Sequence, residues 1–279
     1  AERRVQVMTE TYALARQSSY NDWKLMSDSS IMCSRNNPDC NAFELVSPVL
    51  QGMEGLRECN GVASALERIH TVKVNKSMGF HVHVNVHGVG LKDLKKICQN
   101  FVKYERAMDS FMPDSRASNA YCKSNKAAVP GYTNEARHER IGFCGSLAEL
   151  CETMNPGGDR YFKLNLENLK TGRIPTVEFR QHSATFTTAK ILNWVRFCVH
   201  FVNNSIRLKA PSNLKDNRTV NEEFEMLFQY VVKDRYLRQY YRERRAELAT
   251  RREKQQNDCC ETCAGGGSCA GAVPELHNG

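Results

Sequence analysis

The sequence has no long apolar run. No stretch approaches the roughly 18 consecutive apolar residues that a membrane-spanning helix requires. The opening residues Ala1-Glu2-Arg3-Arg4 also lack the apolar segment that forms the centre of a secretory signal. These absences predict a cytoplasmic protein that has no membrane as a partner.

The glycine patterns of the common nucleotide-binding loops are missing as well. No predicted strand is followed by a Walker-type phosphate loop or by the glycine fingerprint of dinucleotide-binding folds. A nucleotide, if one binds, is therefore expected to lie on the surface of a sheet.

Cysteine is abundant, with twelve residues, but its placement does not favour a disulfide framework. Cys98 and Cys198 occupy apolar positions of helical patterns, where cysteine behaves as a small buried hydrophobe. The four cysteines after residue 258 lack the two C-x-x-C pairs that are typical of a zinc site. We therefore expect a reducing compartment rather than a disulfide-stapled protein.

The formal net charge of +8 is concentrated near the end of the sequence. Nine Lys or Arg residues and four Asp or Glu residues lie between Lys233 and Lys254. No aromatic stacking platform accompanies this basic helix, so nucleic acid is not favoured as a partner. A solvated, charged helix face is the simpler interpretation.

Apolar periodicity and turn residues divide the chain into helices and strands. Helices are predicted at 2–15, 53–73, 91–108, 146–154, 187–208 and 220–257, and strands at 23–26, 42–46, 80–87, 160–166 and 176–182. Residues 110–145 show no sustained period and are expected to form a long irregular segment that covers a site. The domain boundaries predicted from these patterns are a catalytic domain at 1–210, a charged helical extension at 211–258 and a disordered Cys/Gly-rich tail at 259–279.

Two strands are expected to carry chemistry on one face. In the strand at 80–87, His81 and His83 alternate with Phe80 and Val82, so the imidazoles share the polar face.

The strand at 176–182 repeats this alternation. It places Val177, Phe179 and Gln181 on one side, with Glu178, Arg180 and His182 on the other. If 160–182 forms an antiparallel hairpin in the same sheet, two imidazoles, a carboxylate and a guanidinium converge.

This mixture of groups favours phosphoryl transfer. A carboxylate and imidazoles on neighbouring strands can bind a divalent cation, whereas a nearby guanidinium repels the cation unless an anion lies between them. Phosphate is such an anion. An alternative stays open, in which His81, His83 and Glu178 form the site of a metal-dependent hydrolase or oxygenase.

Four stretches resemble the amidoligase family, which belongs to the carboxylate-amine ligase superfamily related to glutamine synthetase and glutamate-cysteine ligase. They are 43–50 (FELVSPVL), 79–83 (GFHVH), 160–166 (RYFKLNL) and 176–185 (TVEFRQHSAT). The similarity runs in order from about Trp23 to Val202, and the EFRQHxxT run is its most specific part.

The resemblance implies an α+β fold with a glutamine-synthetase-like antiparallel sheet. Helices pack on one face of that sheet, and its polar face forms a funnel for ATP and Mg²⁺ or Mn²⁺. The implied metal ligands are His81, Glu178 and Glu44. The implied ATP contacts are His83, Lys163 and Asn165, with Asp28 as a further candidate for a nucleotide or substrate contact. The implied catalytic residues are Arg180 and Arg160.

The resemblance also implies an activity, the ATP-dependent joining of a carboxylate to an amine through an acyl phosphate. Family members usually open with a strand that carries a Gly-x-Glu-x-Glu motif, which this sequence does not show. Either that strand is missing from the sequence, or the protein is a non-catalytic relative that lost it. The two substrates and the oligomeric state stay open.

Overall fold

The computed structural model describes residues 5–8, 21–28, 30–33, 40–117, 119–172 and 174–264, with side chains described from 21 to 254. These residues form a mixed α/β fold with two small, mainly antiparallel sheets and several helices. Within these ranges, no helix combines the length and apolar character needed to cross a bilayer.

The first sheet contains β1 (Val5–Met8), β2 (Trp23–Ser27) and β3 (Phe43–Val46), in that order. Strand β1 is parallel to β2, and β2 is antiparallel to β3. The predicted helix at 2–15 is therefore wrong at Val5–Met8, where alternating β-branched valines favour a strand. The remainder of that prediction lies outside the described residues.

A disulfide joins Cys33 to Cys40 in the connection between β2 and β3. This bond departs from the expectation of a reducing compartment. The other six described cysteines of the body are free and buried, as expected for small apolar side chains: Cys59, Cys98, Cys122, Cys144, Cys151 and Cys198.

The next three elements follow the predicted order. Helix α1 (Gly52–Glu67) ends earlier than predicted, whereas β4 (Gly79–Asn85) and α2 (Leu91–Asp109) match their predictions closely. Helix α2 presents Leu94, Ile97 and further apolar residues to the core.

Residues 110–145 are more regular than predicted, because they hold the short helices α3 (Asp114–Ala117), α4 (Asn125–Ala128) and α5 (Asn134–Gly142). Side chains at the N-caps of α4 and α5 accept hydrogen bonds from the first turn, and such helices are too short to show a period. Helix α6 (Leu147–Met154) then matches its prediction.

The second sheet adds β5 (Leu164–Asn165) and β6 (Thr176–Ser183), which are joined through helix α7 (Glu167–Lys170). Its strand order is β4-β6-β5, and both pairs are antiparallel. The predicted hairpin is confirmed, although only two residues of its first arm are paired as a strand.

Helices cover the apolar face of the second sheet. Phe179 of β6 makes edge-to-face contacts with Phe101 of α2 and with Trp194 and Phe201 of α8 (Thr188–Arg207). These rings form the centre of the core.

The helix predicted at 220–257 is interrupted in the structure. Helix α9 (Val220–Met226) continues as a π-helical turn (Leu227–Val232), and Lys233 then adopts a left-handed conformation with φ of 55° before α10 (Arg235–Ala264) begins. Residues 259–264, predicted to be disordered, are helical; the later residues lie outside the described ranges. The predicted division at 210 and 258 stays a prediction.

Candidate active site

Strands β4 and β6 position the central groups by their alternation. Val82 and Val84 of β4 are buried in the core, and His81 and His83 therefore lie on the opposite face of the sheet. Glu178 is the direct cross-strand partner of His83.

Three side chains lie close to one carboxylate oxygen of Glu178. Its Oε1 lies 2.6 Å from Arg180 Nη1, 3.3 Å from His81 Nδ1 and 3.8 Å from His83 Nε2. The structure thus brings together the four groups that the alternation of the two strands predicts. Glu178 itself is only 4% exposed.

The environment keeps Glu178 ionised and the imidazoles neutral. Burial opposes the charge of Glu178, but His83, Arg180 and His81 outweigh it and lower the pKa of Glu178 to about 2. Burial, together with the charge of Arg180, lowers the pKa of His81 to about 3, and burial also lowers the pKa of His83. At neutral pH both imidazoles therefore have a nitrogen lone pair available for a ligand.

The first sheet contributes carboxylates to the same region. Burial raises the pKa of Glu44 on β3, and the charges of Asp28 and Glu178 raise it further, whereas Arg180 and Arg160 oppose them. Glu44 is therefore within electrostatic range of the Glu178 cluster, although it lies on the other sheet. Asp28 accepts hydrogen bonds from the backbone and the hydroxyl of Ser30.

Asn165 and Lys163 are placed differently from each other, although alternation predicts a shared face. Asn165 Nδ2 donates to Glu178 Oε2 at 2.7 Å, so it orients the central carboxylate. Lys163 precedes the two paired residues of β5, and its ammonium lies 3.1 Å from Glu105 and 2.8 Å from Asp109 of α2. Its side chain is 1% exposed, which leaves it inaccessible to an arriving nucleotide.

A family model described as "Putative amidoligase enzyme" matches residues 2–202 of the chain. The chain belongs to this amidoligase family. Comparisons with curated proteins and with solved structures found no match. The family indicates a ligase-type enzyme with small-molecule substrates, and the matched segment contains both sheets and every residue of the cluster.

The divalent cation that an amidoligase site implies can be tested against the donors. Within the described ranges, no set of three or more His, Cys, Asp or Glu side chains is already placed around a metal position. Instead, Arg180 donates a hydrogen bond to the Glu178 oxygen that faces both imidazoles. The donor chemistry still fits, because Glu178 is ionised, the half-buried Glu44 is within electrostatic range of it, and carboxylate oxygens suit Mg²⁺ and Mn²⁺.

Arginine and tyrosine side chains contact one another beside the Glu178 cluster. The guanidinium carbons of Arg160 and Arg180 lie 5.2 and 5.6 Å from the centre of the Tyr161 ring. Tyr121, in the connection between α3 and α4, meets Tyr161 edge-on at 5.2 Å. Sequence reasoning missed Tyr121, since no local pattern links it to 160–166.

A β-bulge in the second sheet redirects the end of β6. Phe80 pairs with His182, but Val82 pairs with Phe179, so β6 holds one extra residue between these pairs. His182 therefore lies among Phe80 and Trp194 rather than beside Glu178, and the predicted shared face of His182, Glu178 and Arg180 is wrong. Gln181 donates to Asp109 at 2.6 Å.

Helix α3 supports the bulge from outside the sheet. The buried Arg116 donates from Nη2 to the backbone oxygen of Arg180, and Cys122 Sγ lies 3.5 Å from the same oxygen. Sequence reasoning missed Arg116 because it lies in the segment expected to be irregular. The helix thus fixes the backbone that presents Arg180.

Proposed function

We propose that this chain is an ATP-dependent ligase that joins a carboxylate to an amine through an acyl phosphate. The observation that supports the proposal is the convergence of Arg180, His81 and His83 on one oxygen of Glu178. In the proposal, the polar face of the second sheet and the β3 edge of the first sheet line a funnel of the glutamine-synthetase type.

The reaction has two balanced steps. A carboxylate oxygen of the substrate attacks the γ-phosphorus of ATP, and the bond from this phosphorus to the bridging oxygen breaks. ADP departs, and an acyl phosphate forms. The amine nitrogen then attacks the acyl carbon, phosphate departs with the C–O bonding electrons, and the nitrogen loses a proton.

Arginine neutralises the charge that moves in both steps. Arg180 is 8% exposed, and its Nη1 donates to Glu178 at 2.6 Å, so its guanidinium is held in a fixed position beside the cluster. Arg160 lies 5.2 Å from the centre of the Tyr161 ring and is exposed. Such fixed donors stabilise the transferred phosphoryl group and the acyl phosphate.

The other side chains of the proposed site would bind the metal ion and the nucleotide. His81, Glu178 and Glu44 would hold a divalent cation, and His83, half-exposed at the rim, would contact phosphate. The cation supplies neutralisation of the ATP phosphates. Asn165 keeps the Glu178 carboxylate oriented, which is a positioning role.

An assay of amine-dependent ADP release tests the proposal. With mixtures of carboxylates and amines supplied alongside ATP and Mg²⁺, Arg180→Gln is expected to lower the rate on the order of 10²- to 10³-fold, because a preorganised donor is lost. Arg196→Gln is the matched control, since Arg196 pairs with Asp234 away from the cluster. Equal rates for wild type and Arg180→Gln would exclude the assigned role.

A further inference from the structure

A second concentration of positive charge surrounds Glu223 at the start of α9. Arg106 of α2 donates twice to this carboxylate, at 3.0 and 2.8 Å, and also to the backbone oxygen of Arg218. Glu223 is 3% exposed, so it is already paired and enclosed. None of these residues belongs to the proposed ligase site.

Further cations around this pair have no anionic partner. Lys103 of α2 is 7% exposed, and its ammonium lies 4.8 Å from the centre of the Tyr104 ring. Within the described part of the chain, the side chains of Lys103, Lys126 and Arg137 form no hydrogen bond and no ion pair.

Several polar atoms in the same region are buried without a partner. Among the described residues, these atoms are Arg137 Nε and His138 Nδ1 of α5, Asn134 Oδ1 at the start of α5, and Arg218 Nε. Asn134 is 5% exposed, and its backbone N–H is held by Asp216 at 2.8 Å. A native structure rarely leaves so many buried polar atoms unpaired in one place.

The cations also act on one another. Burial and the charge of Arg218 together lower the pKa of Lys103 to about 8, although Glu223 opposes them. Burial likewise lowers the pKa of Lys126, with Arg137 and Arg106 adding to the effect. Lys103 contributes to the lowered pKa of His138. Glu223 is already bound by Arg106, and Glu222 lies 3.8 Å from Arg218, so neither carboxylate forms an ion pair with Lys103, Lys126 or Arg137.

We propose that Lys103, Lys126, Arg137 and Arg218 form a binding site for a phosphate-type oxyanion, separate from the ligase site. Lys103 is within electrostatic range of Arg218, Lys126 is within range of Arg137, and both lysines are within range of Glu223. A doubly charged tetrahedral anion offers acceptors for several such cations at once. The depth of Lys103 favours a compact phosphate group over an extended polyanion.

Titration calorimetry with inorganic phosphate, at constant ionic strength maintained with chloride, tests the site. Wild type is expected to bind phosphate saturably, and Arg137→Gln and Lys103→Met are each expected to weaken binding at least tenfold. Lys92→Met is the matched control, because Lys92 is an exposed lysine of the same helix. Arg180→Gln, which alters the ligase site, is expected to retain this phosphate binding.

A parallel titration with ADP distinguishes a free phosphate from a phosphate ester. If Arg180→Gln binds ADP more tightly than phosphate, and the double variant with Arg137→Gln loses this binding, the ligand is a phosphate ester and the site is supported. Absence of saturable binding of either probe, or loss of binding only in Arg180→Gln, would overturn the proposal.

Thermal unfolding without phosphate supplies the folding control. Lys103→Met is expected to melt at the same temperature as wild type or higher, because the substitution removes a poorly compensated buried charge. Added phosphate should then raise the melting temperature of wild type but not of Lys103→Met. A phosphate-free Lys103→Met that melts well below wild type, while Arg137→Gln binds phosphate normally, would contradict the proposal.

Discussion

Glu178 shows how one side chain can serve several partners. Its Oε2 is held by Asn165, and its Oε1 faces Arg180 and two imidazoles that remain neutral. Because the carboxylate is 4% exposed, each of these contacts acts with little screening by solvent. The chemistry proposed for the site thus depends on the ionisation of a single buried residue.

His182, the histidine removed from this cluster by the bulge, predicts a pH effect on stability. Burial lowers its pKa from 6.5 to about 4, with Arg244 and Lys190 contributing, although the Ser183 carbonyl opposes the shift. The unfolded chain takes up a proton below pH 6.5 and the folded chain resists it, so stability falls as the pH drops from 6.5 to 4.

Urea unfolding at pH 7 and pH 4.5 measures this effect in wild type and His182→Phe. The free energy of unfolding of wild type should fall by about 2–3 kcal/mol more than that of the variant, since one pKa unit corresponds to about 1.4 kcal/mol. His81 and His83 remain in both proteins, so their contributions cancel. The same pH dependence in both proteins would show that His182 does not resist protonation in the folded state.

At the scale of elements, strand β5 and helix α2 are linked by buried charges. Lys163, next to the short strand, lies between Glu105 and Asp109, and Asp109 also accepts from Gln181 in the bulge. These contacts connect the helix to the backbone that carries Arg180. Lys163 therefore stabilises the sheet from its helical side.

Lys163→Met tests that role. The variant leaves two carboxylates without their cation, and it should lower the free energy of unfolding by about 3–5 kcal/mol, as measured by urea denaturation. Lys123→Met is the matched control, because Lys123 pairs with Asp159 at a 48% exposed position and should cost only about 1 kcal/mol or less. Equal effects of the two substitutions would show that the buried network contributes little.

The elements also show what sequence could predict. The alternation at 79–85 and 176–180 was sufficient to bring His81, His83, Glu178 and Arg180 together, because period-two geometry is local. The same alternation gave the wrong face for the residues after Arg180, because the bulge depends on cross-strand pairing and leaves no pattern in the sequence. Lys163 was misplaced for a similar reason, as its partners lie on a helix more than 50 residues away.

At the scale of the molecule, two sheets contribute to one region. Glu44 responds to the charges of Glu178 and Arg180, although it belongs to the sheet of β1, β2 and β3. The family similarity suggested this association, whereas periodicity alone did not. The Cys33–Cys40 disulfide and the strand at Val5–Met8, which were not predicted, both belong to that first sheet or its connections.

Titration of wild type with the non-hydrolysable analogue AMP-PNP, with and without Mg²⁺, measures whether Glu178 takes part in binding a metal–nucleotide complex. We expect saturable, Mg²⁺-dependent binding that weakens at least tenfold in Glu178→Gln and remains unchanged in the control Glu243→Gln. If wild type fails to bind the analogue, or if Glu178→Gln binds it as tightly as wild type does, the proposed ATP site is wrong.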